Sequence, residues 1–132
     1  MNQLKLLKTI LLLCSAYYLI AAFAHFFGLT LFPFYDGQLY SAYHDTLLAL
    51  CDLIFALLFF KVARNPIKNH DTLQVMIIGF ILVILVNLGI IWKIDFVALG
   101  SYQKKFQTII ETILATIAFV FLVILKPKTN TK

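Results

Sequence analysis

Six polar side chains stand out in an otherwise apolar chain: His25, His44, Asp45, Asp52, Asn87 and Glu111. Asp45 and Asp52 belong to the stretch HDTLLALCD, His44 to Asp52, which runs directly into LIFALLFF. Seven residues fall about 20° short of two helical turns, so on a helix the two aspartates share one face. Ser41 extends that face and His44 flanks it. A carboxylate in hydrocarbon costs kilocalories unless it is paired, protonated or wetted. These acids therefore require partners.

Several chemistries use such a set. Carboxylates with imidazoles can ligate iron, manganese or zinc, but no Glu-x-x-His or His-x-x-x-His pair occurs, so no metal is assigned. His25 and His44 could ligate a haem axially, yet nothing around them singles that out, and no cofactor is indicated. Proton handling by a buried acid is possible; transport would require a homo-oligomer, because one small bundle cannot easily build an alternating-access path. Binding of a small amphiphilic or cationic ligand is the leading expectation. The acids would hold its polar end, while Tyr17, Tyr18, Phe23, Phe55 and Phe59 offer apolar and cation–π contacts. A lipid-modifying isomerase, with Asp52 or Glu111 shuttling a proton, is a variant of this. The alternative is an accessory subunit whose acids pair with a partner in a membrane complex.

The elements that carry these residues follow from composition. The chain has 132 residues, 62% hydrophobic and 13% charged, with mean hydropathy +0.94. Soluble domains are about 45–50% apolar, so the lipid bilayer is the expected solvent. Four apolar stretches, roughly 6–31, 43–63, 73–92 and 106–125, each supply the roughly 20 residues that cross hydrocarbon. The fold class is all-α, an integral membrane four-helix bundle forming a single domain over 1–132. Pro33, Pro66 and Pro127 fall between or after these stretches, where they break no helix. Asp71 with Gln74 reads as a capping pair for the third helix, and Ser101 as a cap for the fourth. Lys5, Lys8 and the following apolar run up to Ala22-Phe23-Ala24 imitate a secretory signal; the expectation is a retained first helix. Cys14 and Cys51 lie inside apolar runs and read as buried small hydrophobes rather than a disulfide.

The net charge of +5 does not indicate nucleic acid, because the basic residues sit at the ends of apolar runs. Lys5, Lys8, Lys61, Arg64, Lys68, Lys126, Lys128 and Lys132 fall on one side, against Lys93, Lys104 and Lys105 on the other, which also holds Asp36, Asp45 and Asp95. Eight against three predicts both termini in the cytoplasm, hence N-in/C-in in the plasma (inner) membrane. Tyr35, Tyr40, Tyr43, Trp92 and Tyr102 form an expected aromatic belt on the outer side.

On this topology Asp52 lies about 13 Å below Tyr43, and Glu111 about 8 Å below Phe106, at about 1.5 Å per residue. Asn87 lies at similar depth. His25 is near the outer end of the first helix, on the stripe Cys14, Tyr18, Ala21, His25, Gly28. Each helix thus brings a polar group to the outer half, while the inner half is expected to hold no acid, histidine or base. Plainer roles stand beside this: Asp45 and His44 as interfacial residues at a helix start, His25 as a satisfied histidine, Asn87 as helix–helix glue. Ala24 and Gly28 offer a small-x-x-x-small spacing for close packing.

The stretch LCDLIFALLFF, Leu50 to Phe60, resembles the second helix of the sigma-2 receptor and emopamil-binding-protein group. That resemblance implies four to five helices, cytoplasmic termini and an acid-containing ligand pocket open to the membrane, with Asp52 as the acid from helix two. The chain departs from that group in offering His25 where helix one would bring an acid, and in a helix three poor in polar residues. It is similar at a coarser level to short four-helix DoxX-like proteins.

Overall fold

The computed structural model describes residues 2–31, 35, 37, 40–98 and 102–127. Pro33, Asp36, Ser101, Lys128, Lys132 and the side chain of Tyr102 lie outside the described residues. The chain folds into four helices: α1 (Gln3–Phe27), α2 (Ala42–Arg64), α3 (His70–Lys93) and α4 (Tyr102–Leu125). The end of the bundle that carries the α1–α2 and α3–α4 connections, expected from the charge pattern to face outward, is termed the outer end.

All four helices are long and apolar enough to cross a membrane. Most of their Leu, Ile, Val and Phe side chains face outward, as suits a bundle whose solvent is lipid. The protein is a multi-pass, all-α membrane protein.

Helix boundaries differ from the apolar runs for local reasons. The first run continues to Leu31, but α1 stops at Phe27 because Gly28 adopts the left-handed conformation, φ 62°. Gly28 N–H then bonds His25 C=O and Leu29 N–H bonds Ala24 C=O at 3.0 Å, closing the helix as a Schellman motif. The expected helix-packing role of Gly28 is replaced by this one. A Cβ here would stand 2.9 Å from Tyr40 Cδ2. Asn2 caps the other end, accepting from Leu4 N–H at 3.1 Å. Helix α4 starts four residues before its apolar run, since Gln103, Lys104 and Lys105 are good helix formers. Asp71 does not cap α3. The helix begins at His70, so Asp71 lies in its first turn, fully exposed, where an acid suits the positive dipole end.

Helix α1 packs along α2, and α3 against α4; α1 also meets α4, while α2 and α3 approach only sparingly. Ala49, Ala56 and Ala63 recur every seven residues and are all buried on α2, a spacing that lets a neighbour approach closely. Ser15 Oγ donates to Ala56 C=O at 2.8 Å, which turns this face toward α1. The apolar core fills the inner half, where Leu7, Leu11, Phe59, Val62, Leu73, Phe80 and Leu122 meet.

Two further expectations change. Cys51 is exposed on the outer surface of α2 rather than buried, whereas Cys14 is partly buried. Tyr35 is 4% exposed and belongs to the interior, not the belt, while Trp92 is 89% exposed. His70, three residues before the third apolar stretch, is buried at the start of α3.

Candidate functional site

The polar cluster grows from Asp45, 5% exposed in the first turn of α2. Its carboxylate accepts Ser41 N–H on Oδ2 at 2.6 Å and Tyr35 O–H on Oδ1 at 2.8 Å. His25 Nδ1 lies 2.7 Å from the same Oδ1. A carboxylate that accepts from two donors in this way leaves the Nδ1–H form of His25 as the matching donor. Asp45 therefore caps α2 with a backbone bond, ties the α1–α2 connection through Tyr35, and orients the imidazole of α1. The His25 and Tyr35 rings also pack together at 4.3 Å, and Lys104 of α4 lies 5.7 Å above the Tyr35 ring.

Orienting His25 sends its other nitrogen toward Asp52. Nε2 lies 4.0 Å from Asp52 Oδ2, and the two side chains are 16% and 18% exposed. This is Asp52's one ion pair among the described residues. The sequence-predicted face therefore holds, with His25 bridging its two acids.

Glu111 reaches the same region from α4. Because α2 begins at Ala42 and α4 at Tyr102, Asp52 and Glu111 lie about 15 Å and about 14 Å along their helices at 1.5 Å per residue. Tyr18, nine residues before the end of α1, is level with them. Glu111 feels the charges of Lys104 and Asp52, and the phenols of Tyr17 and Tyr18 feel both acids. Gln107 Nε2 donates to Glu111 Oε1 at 3.2 Å. Sequence reasoning passed over Gln107, although four residues is the spacing at which side chains on one helix face meet.

Two expected members stand apart. His44 is exposed and bonds Ser41 Oγ at 3.1 Å, one position round the helix from the shared face. Asn87 is partly buried on α3, and no hydrogen bond or ion pair among the described residues joins it to the cluster. Among the described residues no three His, Cys, Asp or Glu side chains are grouped to hold a metal ion.

Inward of the acids, the sparing approach of α2 and α3 leaves an apolar cleft of about 200 Å³. Tyr18, Phe55 and Phe59 line one side, and Met76, Gly79 and Phe80 the other. Tyr18 packs on both Phe55 and Phe59 at 5.4 Å, so it is shared between the acidic region and the cleft. Phe23, expected on this wall, is exposed and packs with Phe27 instead. Another hollow, of about 230 Å³, lies beside Gln74 and Lys126, at the inner end away from the acids. No family model, curated protein or solved structure matches the chain, and the geometry of this cluster and cleft is what bears on its function.

Proposed function

We propose that the protein binds a cationic amphiphile, its charged head between Asp52 and Glu111 and its apolar part in the α2–α3 cleft. The observation that carries this reading is Asp52, 18% exposed on its side chain, with His25 Nε2 at 4.0 Å as its one ion partner among the described residues and with Glu111 of α4, itself near Lys104, close enough to feel its charge. Two acids of one sign in a low-dielectric site favour a cation between them. The aromatic cleft one turn inward suits an alkyl or ring system entering sideways from lipid. Asp45 and His25 serve this site as positioning residues.

Dodecylamine added to the detergent-purified protein should raise its melting temperature, whereas dodecanol should not. At a hundredfold excess over Kd, linkage gives about 2.7 kcal/mol. Asp52→Asn should melt close to the parent, since the amide keeps the shape and removes a desolvation cost, but should lose the amine-dependent rise. An undiminished rise in that variant would remove Asp52 from the site.

The same reading places both termini in the cytoplasm and the acids toward the outside of the plasma (inner) membrane. With Cys14 and Cys51 changed to alanine, Ile67→Cys in the α2–α3 connection should resist an impermeant thiol reagent in intact cells. Lys93→Cys at the outer end of α3 should react. Labelling of the first without permeabilisation overturns the orientation.

A further inference from the structure

We infer that the head group taken by this site is a primary ammonium, recognised through its N–H donors, rather than a quaternary ammonium. The inference rests on the amphiphile reading above and narrows it. Gln107 is 3% exposed, and its Nε2 is spent on Glu111. Its carbonyl oxygen Oε1 is buried with no hydrogen-bond partner among the described residues. A buried acceptor of this kind is rare in a settled interior, because desolvating it without a donor is costly.

The groups around it do not provide that donor. Glu111 offers a second carboxylate oxygen, and no described residue hydrogen-bonds to it. Asp52 accepts no hydrogen bond among the described residues; His25 Nε2, at 4.0 Å, is beyond hydrogen-bonding length. Glu111 and Gln107 of α4, joined by their own hydrogen bond, and Asp52 of α2, close enough to Glu111 for the two to feel each other's charge, thus leave acceptor atoms unused on two helices. An alkylammonium has three N–H donors and no acceptor, which answers them directly. A trimethylammonium carries its charge on methyl groups. It could lie against Tyr18 through cation–π attraction, but it would leave Gln107 Oε1 unpaired.

The test compares dodecylamine with dodecyltrimethylammonium, at equal chain length and in one detergent, using the full chain and reading Kd from ligand-dependent melting shifts. Dodecylamine should bind at least about tenfold more tightly, the worth of one hydrogen bond to a charged donor. Gln107→Leu, which keeps the volume and removes the acceptor, should cut that preference to within about threefold. If the quaternary compound binds as tightly and its binding still needs Asp52, the N–H inference falls while the amphiphile reading stands. If neither compound binds in an Asp52-dependent way, the amphiphile reading itself fails. A preference that survives intact in Gln107→Leu removes Gln107 from the recognition. Should that variant not fold, the ratio measured on the parent protein decides alone.

Discussion

Asp45→Ala should destabilise the protein by on the order of 3–5 kcal/mol, the cost of breaking a buried, fully bonded charged group. The substitution strands three donors at once: Ser41 N–H, the Tyr35 hydroxyl and His25 Nδ1. Tyr35 is buried, and His25 is largely so, so water cannot easily replace the lost acceptor. The start of α2 loses its cap, and the α1–α2 connection loses its tie. Asp45→Asn should fall between the parent and Asp45→Ala, because one amide oxygen still accepts while its NH2 group faces donors. Thermal or denaturant melts in detergent measure both, with Asp52→Asn as the comparison. Asp45→Ala melting together with the parent would show that the network adds no stability, and Asp45 would return to the list of ligand-binding acids.

Gly79→Phe is expected to separate binding from folding in the opposite direction. Gly79 lines the cleft, and a Cβ added there meets no heavy atom within 4 Å. A side chain therefore enters open space, and replacing a mid-helix glycine gains a few tenths of a kcal/mol in helix propensity. The melt should stay level or rise. The phenyl ring would occupy the place of the alkyl tail. Excluding about four methylenes at about 0.8 kcal/mol each costs roughly 3 kcal/mol, or on the order of a hundredfold in Kd for dodecylamine. Gly89→Phe is the control, since Gly89 also has open space around it but does not line the cleft. It should leave the affinity unchanged. Undiminished binding of dodecylamine by Gly79→Phe would mean that the tail lies elsewhere.

The divergent expectations for Asp45 and Asp52 show where sequence reasoning stops. Spacing alone places both acids on one face of α2, and that placement holds. Spacing cannot say that one acid is bonded by a tyrosine, a backbone amide and a histidine while the other has, among the described residues, a single distant ion partner. Tyr35 reads as an interfacial aromatic because its type and position match a belt; only the path of the connection brings it inside. Phe23 shows the converse, an aromatic expected on the pocket wall that faces outward.

What the sequence determined by itself is which residues lie on the four long apolar helices and how far along each. Length and hydropathy set the four spans, and a constant rise of about 1.5 Å per residue converts position into depth. That is why the grouping of His25, Asp52 and Glu111 toward the end of the bundle that carries the α1–α2 and α3–α4 connections was legible. Rotation about each helix axis was not. A helix that is apolar all round, as α3 nearly is, carries almost no periodic signal of which side turns inward. Asn87 was therefore expected among the acids and stands apart from them, while Gln107 of α4, passed over in the sequence, meets Glu111. The cleft was equally invisible, because it exists where α2 and α3 fail to close on one another. A gap between two apolar surfaces has no residue pattern of its own, so tertiary packing alone decided it.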